Sequence, residues 1–178
     1  MPEIVPFRDA ASLFADFQHT AFRLETRRGY TTDRVGARYQ AFMAGTMPAY
    51  EPDSEWSRLV RQAVAAGKRF ERVRLVDDPM TDGQRFLLAS GLGNVRAGED
   101  IRNLRRERAE SLGLPLFDFW LFDSRMLATF HFDADDVTLG VELTTDPAVV
   151  LRACQARDAA WHFAVPTAEF QATVQSGT

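Results

Sequence analysis

The run Phe117-Asp118-Phe119-Trp120-Leu121-Phe122 is almost entirely apolar. A strand with no polar side belongs at the centre of a sheet, covered on both faces. Alternating apolar and polar residues mark its neighbours. In residues 19–26, Thr20, Phe22, Leu24 and Thr26 share one side, and Ala21, Arg23 and Glu25 the other. In residues 70–76, Val73 and Leu75 oppose Arg72 and Arg74. Residues 101–105 form a further strand candidate. Residues 126–132 predict a hairpin partner for the central strand through Ser124-Arg125, and residues 137–144 alternate like a strand with one solvated side.

Helical spacing supplies the covering layers. Residues 12–17 fit a short helix. Asp33 opens another, with Val35, Tyr39, Phe42 and Met43 on one face and Gly45 at its end. The cleanest amphipathic segment starts at Asp53 or Ser54. It carries Trp56, Leu59, Val60, Ala63 and Val64 at i, i+3, i+4, i+7 and i+8 before Gly67. Thr81-Asp82-Gly83-Gln84 has capping-box spacing, but Gly91, Gly93 and Gly98 weaken any helix before Glu99. Asp146-Pro147 places an N-cap and a first-turn proline before a helix that runs to about Phe163. The order β-α-α-β-α-β-β-β-β-α defines an α/β (α+β) fold, a single mixed sheet of about five to six strands flanked by helices. The 178 residues fit one domain, with 1–16 as an N-terminal appendage and 167–178 as a frayed tail. Trp56, Trp120 and Trp161 each fall on an apolar stripe and are expected in the core.

Composition narrows the function classes. With 46% apolar residues and 14 Phe the chain has ample core for a folded domain, so global disorder is excluded. A net charge of −4 leaves no basic footprint, and no direct nucleic-acid partner is expected. Only one of the 21 basic residues is a lysine, Lys68, a bias expected from GC-rich coding rather than from guanidinium chemistry. The single cysteine, Cys154, sits on a helical apolar stripe and permits no internal disulfide. No basic-then-apolar leader and no apolar run of membrane length is visible, so a cytoplasmic protein without a membrane partner is expected.

Five phrases carry a resemblance. They are His19-Thr20-Ala21-Phe22-Arg23-Leu24-Glu25, Arg72-Val73-Arg74-Leu75-Val76, Ala97-Gly98-Glu99-Asp100-Ile101-Arg102, Asp118-Phe119-Trp120-Leu121-Phe122-Asp123 and Arg157-Asp158-Ala159-Ala160-Trp161. In this order they resemble an actinobacterial family known as domain of unknown function 6879, across about residues 12–170. That family looks like single phospholipase D-type halves without catalytic motifs. Active halves hold His-x-Lys-x-x-x-x-Asp where this chain has Leu116, Asp118 and Asp123. Only the final Asp is kept, so the resemblance implies no phosphodiesterase. It implies instead a non-catalytic ligand-binding or regulatory module working with a helix-turn-helix transcription regulator. One departure stands out. After Pro79-Met80-Thr81-Asp82 the resemblance leads one to expect an aromatic and then Arg-Phe-Glu, where this chain has Gly83-Gln84-Arg85-Phe86-Leu87.

The candidate site residues follow from charge on strands. Arg74, Arg85, Glu99 and Arg102 are expected to line a cleft at strand ends, the usual ligand position in α/β folds, for a small polar or anionic ligand. Arg23 beside Glu25 is a further charged pair on a strand. Arg157, within a helical apolar stripe, needs a carboxylate, with Asp123 or Glu142 as partner, so Asp123 and Arg157 are expected to be structural or electrostatic. His19, His131 and His162 are isolated, and Asp133, Asp135 and Asp136 read as a solvated turn rather than a calcium loop. No catalytic residue, metal site or cofactor is expected. A homodimer is left open. The alternative is an enzyme of specialised metabolism that uses a re-purposed pocket of acids and arginines, Glu99, Arg85 and Asp123 among them.

Overall fold

The computed structural model describes residues 3–176. The chain begins with β1 (Ile4–Val5), a 3-10 turn (Phe7–Ala10), α1 (Leu13–Asp16) and β2 (Thr20–Glu25). Three helices follow, α2 (Thr31–Arg34), α3 (Ala37–Met43) and α4 (Glu55–Ala65), and lead into β3 (Arg69–Val76). Next come α5 (Asp82–Ala97), β4 (Asp100–Arg105) and α6 (Arg106–Ser111). The meander β5 (Phe119–Phe122), β6 (Met126–Phe132) and β7 (Thr138–Thr144) precedes α7 (Pro147–Phe163), β8 (Val165–Pro166) and α8 (Thr167–Ser176).

All strands of the described residues join one mixed sheet in the order β1-β7-β6-β5-β2-β3-β4-β8. It has eight strands rather than five or six. Alternation or an apolar run marks β2 to β7; the two further strands, β1 and β8, have two residues each, too short for any period to register. The apolar run forms β5, inside the sheet between β2 and β6, with all four of its residues buried. Strands β2, β3 and β4 run parallel. Right-handed crossovers that advance in one direction leave their helices on one face of a sheet. Val60 and Ala63 of α4 accordingly share a core with Ala97 of α5, and with Phe70, Trp120 and Phe14. The opposite face packs Phe22, Leu24, Val73, Leu75, Phe119 and Leu121 against Val150, Ala153 and Ala160 of α7.

Helix α5 runs through Gly91 and Gly93, which were expected to weaken it. A complete capping box between Thr81 and Gln84 starts it, and Gly98, at φ 113°, ends it. Gly91 is required by packing, because a Cβ there would lie 2.5 Å from Nη1 of Arg74. The expected frayed tail is instead helical as far as Ser176, and Phe170 of α8 packs with Val76 and Leu88; 177–178 lie outside the described residues. The expected appendage contributes Ala10 and Phe14 to the core, followed directly by Phe17, while residues 1–2 lie outside the described ones. Of the tryptophans only Trp120 is buried; Trp56 and Trp161 are half-buried.

The expected partnership of Asp123 with Arg157 is not formed. Asp123 caps the entry to β2, accepting from the backbone N–H groups of Gln18, His19 and Thr20 at 2.7, 2.7 and 3.0 Å. Burial pushes its carboxyl up, but these three bonds outweigh that and hold it below the usual range. Arg157 is not enclosed among apolar groups. It pairs with its neighbour Asp158 and donates to Ser124 Oγ, and Glu142 meets His131. Asp123→Ala should cost roughly 1–3 kcal/mol in urea unfolding, as three amides lose an ionised acceptor. A double-mutant cycle with Arg157→Met should be additive; a coupling energy above about 0.5 kcal/mol would restore the pair.

Candidate functional site

The side of β2 and β3 opposite α7 is where this protein departs from an ordinary core. Arg23 stands beside Arg72 and Glu25 beside Arg74 in the parallel register. Period two puts all four on one face, and that face lies under the crossover helices. They are buried; Arg23 and Arg74 are each 5% exposed. Buried charge survives only when paired and hydrogen-bonded, and the pairing here is dense. Arg72 donates from Nη1 to Glu25 at 2.5 Å and from Nε to Glu99 at 2.6 Å. Arg74 donates from Nε to the second oxygen of Glu25, and from Nη1 to the Leu87 carbonyl. Arg23 donates from Nη2 to Asp118 at 2.7 Å.

Two acids close the network from behind. Asp118, 1% exposed, also accepts from the backbone N–H and hydroxyl of Thr26 and from the Tyr30 hydroxyl. Glu99 accepts from Trp56 Nε1 as well as from Arg72. Burial alone would push the Glu25 carboxyl up, but Arg72, Arg74 and Arg23 outweigh it and hold it far below the usual range. Burial would lower Arg72, and Glu25 and Glu99 instead raise it well above the ordinary arginine value. Burial, then Glu25 and Asp118, push the Tyr30 phenol up, which keeps it a donor. These contacts use the fork of the guanidinium, which a lysine lacks. Guanidinium chemistry therefore matters at three of the chain's arginines.

Above this floor opens a cavity of about 980 Å³, at the upper end of the range for small-molecule sites. Its walls carry the rings of Phe14, Trp56, Trp120, Phe130, Phe132, Tyr39 and Phe86. The α2–α3 segment forms one side through Thr32, Asp33, Ala37 and Tyr39, and neither helix buries a residue fully. That segment is tied down by Tyr30 on Asp118, by Thr31 on the Asp135 carbonyl and by Arg34 on Asp136. The aspartates of the β6–β7 turn thus act in turn geometry and anchoring. Phe86 and Leu87, within the segment that departs from the resemblance, line the cavity.

Asp33 on this wall is raised by burial first and by Glu25 second. Its ionisation is disfavoured in the fold, so its contribution is whole below the unfolded carboxyl value and is lost as pH rises through the folded one. Asp33→Asn should therefore raise Tm at pH 7 and leave it unchanged near pH 3. An equal gain at both pH values would point to a cause other than charge.

The four expected ligand contacts do not converge. Arg74 lies in the floor and Glu99 directly behind it. Arg85 is exposed on α5 and pairs with Asp82 and the Met80 carbonyl. Arg102 is opposite Val73 in the β3–β4 register, so it shares Val73's face and stacks 3.8 Å from the ring centroid of Trp161, across the sheet from the cavity. Arg23, Glu25, Arg72, Asp118 and Tyr30 complete the network; none is among the four expected contacts, and only Arg23 and Glu25 stand out in sequence as a charged strand pair. Their signal was legible in part: Arg23 and Glu25 alternate on one strand as Arg72 and Arg74 do on the next, and Asp118 interrupts an apolar run. Among the described residues no group of His, Cys, Asp and Glu has the arrangement of a metal site, and no helix is long and apolar enough to cross a membrane.

Fold and site together define an α/β protein with one mixed sheet, whose buried ion network floors an aromatic-walled cavity. The chain belongs to the family described as Domain of unknown function (DUF6879), whose model matches residues 8–172. No curated protein matches it.

Proposed function

We propose that this protein is a non-hydrolytic ligand-binding module of the cytoplasm, a phospholipase D-like half that reports on a small molecule to a separate helix-turn-helix transcription regulator. The observation that carries the binding part is the aromatic cavity over a pre-organised floor of arginines and acids. A floor so fully cross-linked keeps its shape whether or not a ligand is bound, which lowers the ordering cost of binding. The regulatory part is supported by the resemblance described above. The non-hydrolytic part is supported by Leu116 and Asp118 at the places of the phospholipase D histidine and lysine, and by the engagement of Asp118 with Arg23, Thr26 and Tyr30.

A metabolite screen by thermal shift tests the binding. A hit should saturate, and Ala37→Trp, which places an indole into the cavity from α3, should abolish the shift without changing the Tm of the free protein. A shift that survives Ala37→Trp would place the ligand elsewhere. The purified protein should turn over no generic phosphodiester, with or without divalent metal, and turnover that disappeared in Asp123→Ala would overturn the non-hydrolytic reading. A second reading, an enzyme of specialised metabolism, is favoured by Asp33, since a carboxyl with a raised pKa beside a cavity suits proton transfer. Conversion of a bound ligand that Asp33→Asn stops would select it.

A further inference from the structure

Arginines lining a cavity usually point to an anion, but here each already has its counter-charge. Arg23, Arg72 and Arg74 face Asp118, Glu25 and Glu99 at 2.5–2.7 Å. At the rim, Arg38 pairs with Glu51 and Arg8 with Asp9. Asp33 also lines the cavity, without an ion-pair partner among the described residues. A carboxylate or phosphate entering would meet no uncompensated cation and would lie near Glu25 and Asp33, so its desolvation would go unanswered.

What the floor lacks is an acceptor. Nη1 of Arg23 is buried and has no hydrogen-bond partner, while Nη2 is taken by Asp118. An unmet buried N–H is a standing cost that an incoming acceptor removes. The guanidinium lies 3.9 Å from the ring centroid of Phe130, itself half-buried and part of the cavity wall. Nη1 is covered there, so an acceptor that reaches it has to displace that ring. Around it, Trp56, Trp120, Phe14 and Phe132 offer surfaces for rings.

Resting on the ligand-binding reading above, we infer that the cavity takes an uncharged, ring-bearing molecule with a carbonyl-type acceptor, to which Arg23 Nη1 donates, in preference to carboxylates and phosphates.

Calorimetric titration of the full chain at pH 7 with probes that share one ring system tests this. The probes are 2-acetonaphthone, 2-ethylnaphthalene, 2-naphthoate, 2-naphthyl phosphate and 2-naphthylmethylamine. The ketone should bind about tenfold or more tighter than each of the others, the increment of one hydrogen bond from a charged donor. Arg23→Lys keeps a cation for Asp118 and removes the planar second nitrogen, and should bring the ketone down to the level of 2-ethylnaphthalene. If that variant does not fold, the ketone and hydrocarbon compared on the unaltered chain decide the same point. A charged head that binds as tightly as the ketone would overturn the ligand class and leave the ligand-binding reading standing, as would equal affinity for ketone and hydrocarbon. Failure of every probe to bind would remove both.

Discussion

Asp118→Asn is expected to lower the unfolding free energy by roughly 3–5 kcal/mol, the penalty for breaking a buried ion pair from one side. The carboxylate is almost inaccessible and accepts from Arg23, from the backbone and hydroxyl of Thr26, and from Tyr30. Asparagine keeps the shape, but offers one acceptor oxygen and turns an amide towards donors. The Arg23 guanidinium then stays buried without its carboxylate. Urea unfolding measures the loss. The double variant Asp118→Asn with Arg23→Met should recover part of it, because the stranded charge is gone. A midpoint close to that of the unaltered chain would mean that Asp118 is dispensable and that Thr26 and Tyr30 alone fix the α2 entry.

Glu25→Gln should cost a similar amount, roughly 3–5 kcal/mol, and should also change the pH profile. Glu25 is the hub: one oxygen takes Arg72, the other Arg74, and Arg23 lies 3.8 Å away. Its folded pKa is depressed far below the ordinary value of 4.5. The unfolded chain takes up a proton near that ordinary value and the folded chain only much lower. The stabilisation is therefore complete above the ordinary carboxylate range and declines as pH falls from about 4.5 towards the folded value. Stability measured between pH 7 and pH 3 should fall for the unaltered chain and fall less steeply for Glu25→Gln. Parallel curves would show that other carboxylates, Asp77 and Asp123 among them, carry the acid response.

Much of the architecture was legible in local pattern. The apolar run at β5, the alternation of β2, β3 and β7, and the spacing of α4 each report which side chains share a surface. The site was less so. Arg102 and Arg74 look equivalent in sequence, each charged and on a strand, but the register that sets Arg102 against Val73 sends it to the other face. Arg85 lies close in sequence to Leu87, yet two residues along a helix turn a side chain by more than a right angle, so Leu87 lines the cavity and Arg85 meets solvent. Asp123 and Arg157 seemed natural partners because Arg157 falls on a helical apolar stripe and needs a carboxylate, whereas Asp158 took Arg157 and backbone amides, absent from any sequence pattern, claimed Asp123.

By itself, then, the sequence determined the class of fold, the central position of β5 and the division of Arg23, Glu25, Arg72 and Arg74 from Phe22, Leu24, Val73 and Leu75. Only the tertiary structure decided that the charged side is also an interior. Alternation says which residues share a face, and solvation of the polar one is the usual outcome. Here both parallel crossovers place α4 and α5 over that face, so its arginines and acids had to pair with one another, with Glu99 and with Asp118. The gap left among those helices, α3 and the N-terminal segment is the cavity, because a layer of rods on a twisted sheet does not cover it completely.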